Sequence, residues 1–260
     1  MHTFGLIGHP LSHSFSKAYF DAKFKNERLE CRFLNFDIDS LDQLNDIIAQ
    51  YHDLQGFTIT HPFKKAIIPY LDSIDDNASE IGAVNVVKIG TDRKLHGYNT
   101  DYIGFQGLMK EAVGEKYNKK AYVCGTGGAS DAVRFVLNNE CICFEILTRK
   151  NDSYQKLRAE GFHDNELIIN ATPVGMYPNA DETLDLPFET ANKTNVFIDL
   201  IYNPEETLFM KKAKQRGAKT FNGLRMLKLQ AEAAWDIWSR ELRVESPLCA
   251  AAARGRGKSA

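Results

Sequence analysis

The sequence predicts an α/β protein built from two doubly wound domains. Two observations carry that expectation. Short apolar runs of strand length alternate with helix-like segments along most of the 260 residues, and a βαβα order builds a mostly parallel sheet covered by helices. The alternation then restarts after about residue 100 with a fresh strand and turn, and a chain of this length has room for one to two domains.

Taken in order, FGLIG (4–8) opens as a strand and 16–26 reads as a helix. CRFLNFDI (31–38) is a strand, 41–51 a helix and GFTIT (56–60) a third strand. Residues 66–71 and 76–81 look helical, and AVNVVKI (83–89) looks extended. A helix over 100–115 crosses to the second half. There AYVC (121–124) is a strand, followed by a glycine turn and a helix to about Asn138. The strands CICFEILT (141–148), ELIINAT (166–172) and NVFIDLI (195–201) follow, with a helix over 207–216. The long helix 224–241 holds both tryptophans, Trp235 and Trp238, and is expected to pack back onto the first domain. The resulting division is 1–100, completed by the helix 223–243, then 101–222. The stretch 244–260 is rich in Ala, Arg and Gly, lacks apolar area to offset its ordering entropy, and reads as a disordered tail.

Composition narrows the function classes. The chain is 43% hydrophobic and 25% charged with a formal net charge of −2, which argues against a nucleic-acid or membrane surface. An anionic small molecule would need a local cationic pocket. The five cysteines are odd in number and form no CxxC pair, so neither a disulfide framework nor a zinc site is expected. Cys141 and Cys143 would share one strand face. No signal-peptide pattern opens the chain and no apolar run reaches about 18 residues, so the expected location is the cytoplasm.

The strongest local signal is Cys124-Gly125-Thr126-Gly127-Gly128-Ala129-Ser130, a glycine turn between a strand and a helix. Gly125 permits a tight turn, Gly127 lets a pyrophosphate approach the backbone, and the helix N-terminus offers unpaired N–H groups and a positive dipole end. The next strand ends in Thr148-Arg149-Lys150, not in the acid that would bond a ribose 2′-hydroxyl. Basic residues there suit the 2′-phosphate of NADP, which Arg149 could grip in a fork. The second domain is therefore expected to be a Rossmann NADP-binding domain.

Polar residues cluster at predicted strand ends in the first domain, where open α/β sheets place ligands. Ser12, Ser14 and Ser16 follow the first strand; Thr60 and Lys64 follow the third; Asn85 ends IGAVN; and Asn99, Thr100 and Asp101 precede the crossing helix. Singly, each has a plain structural reading: Ser16 and Thr100 as helix caps, Lys64 as a surface lysine, Asp101 as a first-turn acid. Their convergence suits a polyhydroxylated substrate. His9 and His13 are separated by Pro10 and are not expected to bind a metal; His61 suits a supporting role, and Asp76 is expected to cap or open a helix.

These motifs together resemble the shikimate dehydrogenase family. The matching segments, in family order, are GHPLSHSFS (8–16), TITHPFK (58–64), IGAVN (81–85), GYNTD (97–101), CGTGGAS (124–130), NATPVGM (170–176), DLIYNPEET (199–207) and GLRMLKLQ (223–230). The resemblance implies a substrate domain and an NADP-binding domain with a cleft between them. It implies that Ser14 and Ser16 hold a substrate carboxylate, and that Thr60, Asn85 and Gln230 bond its hydroxyls or ketone. Lys64 and Asp101 would be the catalytic pair and Tyr202 would line the substrate. Gly125, Thr126, Gly127, Gly128 and Ala129 would hold the pyrophosphate, and Thr148 and Arg149 the adenosine phosphate. Ala171, Thr172, Leu200, Gly223 and Met226 would line the rest of the cofactor groove, with Asp76 on the cofactor side. The implied reaction is reversible NADPH-dependent reduction of 3-dehydroshikimate to shikimate, on the route to chorismate and the aromatic amino acids, by a monomer or homodimer without nucleic-acid or membrane partners or a metal.

Two departures from the family pattern stand out. Thr58 replaces an asparagine, which removes an amide beside the catalytic segment, and Asp131 stands where an arginine is frequent, placing a carboxylate near the pyrophosphate. The competing expectations are a quinate/shikimate dehydrogenase with relaxed cofactor use and a cofactor-binding regulator without turnover.

Overall fold

The computed structural model describes residues 1–11 and 15–242. Ser12, His13, Ser14 and the expected tail 244–260 lie outside the described residues. The chain divides into two compact units: one of Met1–Ser79, Val84–Thr100 and the residues from Ala231, the other of Glu80–Ala83 and Asp101–Gln230.

The first unit contains β1 (His2–Gly8), α1 (Phe15–Asn26), β2 (Cys31–Asp37), a 3₁₀ turn (Leu41–Gln43) running into α2 (Leu44–Gln50), β3 (Leu54–Ile59), β4 (Ser73–Ile74), most of α3 (Asp76–Ile81), β5 (Val86–Ile89) and β6 (Leu95–Tyr98). Its six strands lie in the order β2-β1-β3-β5-β6-β4. β1 runs parallel to β2 and β3, whereas β5 is antiparallel to both β3 and β6. The hairpin between β5 and β6 closes through Gly90 and Arg93, the latter at φ +65°.

The second unit holds α4 (Asp101–Val113), β7 (Ala121–Cys124), α5 (Gly128–Asn139), β8 (Phe144–Leu147), α6 (Ser153–Glu160), β9 (Leu167–Asn170), β10 (Val196–Asp199), α7 (Leu208–Gln215), β11 (Lys219–Phe221) and the first turns of α8 (Leu224–Leu242). Its sheet is parallel throughout, in the order β11-β10-β9-β7-β8. Alternation along the strands builds two cores, because successive side chains point to opposite faces. Tyr122, Ile168 and Phe197 are in register on one face, and Val123, Ile169 and Ile198 on the other, all at most 1% exposed. Strands covered on both faces require such continuous apolar runs.

From Ala231 onward α8 belongs to the first unit. Trp238 stacks on Phe4 with ring centroids 5.0 Å apart, and its indole N–H donates to the Val87 carbonyl at 3.0 Å. Trp235, Phe20, Phe24 and Phe33 complete this aromatic layer. Each such side chain contributes about 1.5–3 kcal/mol by leaving water. Gly56 makes the fit possible, since a methyl there would lie 2.4 Å from the Trp238 nitrogen.

Two local expectations are corrected and a third is made specific. Residues 66–71 form only a 3₁₀ turn at Ile68–Tyr70, where Pro69 lacks an N–H and restrains the residue before it. Cys141 and Cys143 do not share a strand face, because Cys141 sits in a left-handed turn (φ +54°) and β8 begins only at Phe144. Asp76 opens α3 as its first residue, one of the two roles expected of it, while the Asp75 carboxylate does the capping by accepting from the amides of Asn77 and Ala78.

Candidate active site

In the first unit the strand order places a switch point between β1 and β3, and the carboxyl ends of open α/β strands at such points are where ligands bind. Gly8 ends β1 and Thr60 follows β3, with the Thr60 amide donating to the Ile7 carbonyl at 2.9 Å. The two chains approach so closely that a methyl on Gly8 would meet Thr60 Cγ2 at 2.3 Å. The His9 amide donates to the His61 carbonyl at 3.1 Å, which fixes the next residues of both loops.

Lys64 follows Thr60 in a turn and is half-buried, and its carbonyl accepts from the Val84 amide at 2.8 Å. The neighbouring Asn85 is buried, and its side chain clamps Thr100: Nδ2 donates to Thr100 Oγ1 at 3.1 Å, and Oδ1 accepts from the Thr100 amide at 2.7 Å. Asp101, the next residue, opens α4 and is 5% exposed. One backbone bond, one peptide bond and one side-chain clamp thus tie the loop of Lys64 to Thr100 within the first unit. Ser16 lies in the first turn of α1, half-buried; it follows the first helical residue and so is not the cap. Ser14 lies outside the described residues. Thr58, where an amide was expected, is buried and its hydroxyl donates to the Gly5 carbonyl at 3.3 Å.

In the second unit the switch point lies between β7 and β9. Gly125 follows β7 at φ +110°, and a methyl there would come within 3.0 Å of the Ala171 carbonyl, so only glycine is unstrained. Gly127 occupies the cap of α5, with no side chain capping the helix and open space where its Cβ would be. The first-turn amides are therefore left for an incoming anion. Ser130 supports the loop by donating to the Gly125 carbonyl at 2.7 Å. Asp131 is buried and paired with Arg134, one turn along α5.

Beyond β8, Thr148 is braced by Ser153, whose hydroxyl accepts the Thr148 amide at 2.9 Å, while Arg149 and Lys150 are exposed. No acid occupies the end of this strand. The residues from Asn170 to Leu200 are organised by a network that the sequence reading did not single out. Asp199, fully buried at the end of β10, accepts from Thr207 Oγ1 at 2.6 Å, Asn170 Nδ2 at 3.1 Å and the Ile201 amide at 3.0 Å. Burial outweighs these bonds and pushes its pKa up to about 6. Asn170 in turn accepts from the Thr172 amide and hydroxyl at 3.0 and 2.7 Å, which sets the Ala171–Thr172 turn. The signal available was an Asn and an Asp at equivalent strand ends, followed by a Thr at the start of a helix.

Gly223 lies against Leu200, whose carbonyl would be 2.0 Å from an added methyl. Met226 and Gln230 are buried on α8, and Tyr202 is half-buried, with burial raising its phenol pKa. Asp76 is exposed at the start of α3. Among the described residues no group of three or more His, Cys, Asp or Glu could hold a metal ion.

A parallel sheet with a glycine turn at its switch point, an uncapped helix behind it and basic residues after the next strand defines a dinucleotide-binding oxidoreductase. The comparisons narrow this. The model of the shikimate dehydrogenase substrate binding domain matches residues 6–87. A shikimate dehydrogenase (NADP(+)) of Methanococcus maripaludis is 41% identical over 254 residues, covering 90% of this chain and 91% of that protein. A crystal structure of a shikimate dehydrogenase in complex with NADP+ superposes with a TM-score of 0.79 at 38% identity, over 92% of this chain and 90% of that one. The Thermus thermophilus enzyme in complex with NADP(H) and shikimate gives 0.79 at 31% identity, over 92% and 94%. The chain belongs to the shikimate dehydrogenase family.

Proposed function

We infer that the protein is an NADP-dependent shikimate dehydrogenase that reversibly reduces 3-dehydroshikimate to shikimate, a step of chorismate and aromatic amino acid biosynthesis. The observation that carries this reading is the second unit's switch point, where Gly125 precedes the uncapped α5 and the neighbouring strand β8 runs out into Thr148, Arg149 and Lys150 and not into an acid. Kinship over 90% of the chain to an enzyme bearing that name supports the substrate.

The open N-terminus of α5 fits a pyrophosphate, with Gly125, Thr126, Gly127, Gly128 and Ala129 around it. Thr148 and Arg149 would take the 2′-phosphate. Ala171, Thr172, Leu200, Gly223 and Met226 would hold the remainder, with Asp76 on that side. Bound NADPH supplies the hydride. Ser14 and Ser16 take the substrate carboxylate, Thr60, Asn85 and Gln230 its oxygens, and Tyr202 lines its ring. Lys64 stabilises the charge that develops on the ketone oxygen and donates the proton from its ammonium group. In the oxidation direction the neutral amine accepts it. Asp101 orients the Lys64 ammonium and bonds a substrate hydroxyl. The enzyme works in the cytoplasm, as a monomer or homodimer, on a small molecule; no helix among the described residues is long and apolar enough to cross a membrane.

A spectrophotometric assay with shikimate or quinate, each with NADP+ or NAD+, tests the reading. Shikimate with NADP+ should give the highest kcat/KM. A preference for quinate, or no turnover with shikimate, would overturn it.

A further inference from the structure

A carboxylate at the head of a phosphate-binding helix opposes the field that the helix offers its ligand. Asp131 is in that position. It is the fourth residue after the cap Gly127, to whose carbonyl its amide donates at 3.0 Å. At a rise of about 1.5 Å per residue its backbone lies about 6 Å along the axis from the cap. Side chains on a helix lean toward its N-terminus, so the carboxylate leans toward the glycine turn. It is 4% exposed, so water screens it little, and the Debye length at physiological salt, about 8 Å, exceeds the separation. Left alone, this charge would compete with a pyrophosphate for the positive end of the α5 dipole.

Arg134 lies three residues further, where a helical side chain leans back onto Asp131, and its guanidinium donates to Asp131 Oδ1. Its Nε is buried and makes no hydrogen bond, so the guanidinium is held there without full satisfaction of its donors. Ser130, between the turn and Asp131, is spent on the Gly125 carbonyl. The charge balance near the turn is thus set by one buried acid and one partly buried base on the same helix.

We propose that Arg134 is a positioning residue for the cofactor: by neutralising Asp131 it keeps the N-terminus of α5 receptive to the NADP(H) pyrophosphate, and the Asp131–Arg134 pair sets cofactor affinity. The proposal rests on the reading of this turn as the dinucleotide site. Asp131 suits the helix dipole, and its standing pair with Arg134 leaves no unbalanced negative charge there to oppose a phosphate. Unit charges about 7 Å apart change binding by about threefold in bulk water and by about fiftyfold at the lower effective dielectric of a protein surface, and these two values bracket the effect.

The test is titration of the full-length protein with NADPH, followed by fluorescence, together with steady-state kinetics. Arg134→Gln should weaken NADPH binding by roughly three- to thirty-fold, and Asp131→Asn should strengthen it. The double variant should return close to the unaltered protein, and Arg134→Lys should retain most of the affinity. KM for NADP+ should follow binding, while KM for shikimate stays level. All these differences should shrink at about 1 M salt, where screening reaches about 3 Å. Thermal melts identify variants that fail to fold, and the Asp131→Asn result, opposite in sign to a stability defect, keeps the test decisive in that case. Arg134→Gln binding NADPH as the unaltered protein does, or Asp131→Asn binding it more weakly, would overturn the proposal. If the unaltered protein binds no NADPH, the dinucleotide reading itself falls and the proposal with it.

Discussion

Replacing Lys64 by alanine is expected to lower kcat by about 10²–10⁴-fold with a small change in KM, because a proton donor acts mainly in the transition state. Asp101→Ala should lower kcat and also raise KM if, as proposed, its carboxylate bonds a ground-state hydroxyl. The double variant should lose much less than the product of the two effects. Near-native kcat in a well-folded Lys64→Ala protein would point to His61 as the donor. Arg149→Ala should reduce the preference for NADP over NAD by roughly ten- to a hundredfold, the equivalent of a charged hydrogen bond worth about 1.5–3 kcal/mol. Steady-state kinetics with both cofactors measures it. Asp199 makes a different prediction. Its pKa rises from 3.8 to about 6 on folding, so the folded protein holds this proton more tightly than the unfolded chain. The contribution is therefore fully present below about pH 4 and lost as pH rises through about 6, to a total of about 3 kcal/mol. Thermal melts across that range should show the wild type losing stability relative to Asp199→Asn as pH rises. The polar residues of the site were legible because Ser, Thr, Asn, Lys and Asp gathered at strand ends where solvation alone would not gather them. Asp199 was not, because an acid ending an apolar strand looks solvated until burial is known.

At the scale of elements, Gly56 and Trp238 give the clearest test. Gly56→Ala would press a methyl against the indole and the Val87 carbonyl, and overpacking of this kind costs typically about 1–3 kcal/mol. Denaturant melts should show that loss, and Trp238→Ala should cost about 3–5 kcal/mol by leaving a cavity. The strands β1, β3, β7, β9 and β10 were legible because each lies in an unbroken apolar run, as its burial on both faces requires. β4, β6 and β11 were not: two to four residues such as Ser73–Ile74 or Leu95–Tyr98 become strands only because a neighbour offers its edge. α6 was missed as well, since SYQKLRAE carries few apolar side chains and buries only Ser153 and Leu157.

At the scale of the whole molecule, the two units should answer to different ligands. NADP+ alone should slow hydrogen exchange around 124–130 and 148–153, and shikimate alone around 60–64 and 85. At a hundred times its Kd either ligand adds about 2.7 kcal/mol to the unit that binds it. Exchange measured by mass spectrometry with each ligand separately decides this, and protection of the wrong segments by NADP+ would count against the assignment of the glycine turn.

The discontinuity of the first unit also dictates an order of assembly on the ribosome. Its strands are synthesised first, yet Phe4, Phe20 and Phe24 lack their covering indoles until Trp235 and Trp238 emerge, more than 200 residues later. The second unit, apart from the short Glu80–Ala83 stretch, is continuous from Asp101 to Gln230, so all of it precedes Trp235 and Trp238 in synthesis. The nascent chain thus finishes its nucleotide-binding half while its amino-terminal half still exposes an aromatic surface. That surface is where a chaperone would bind during translation, and a ribosome stalled after residue 230 should present it.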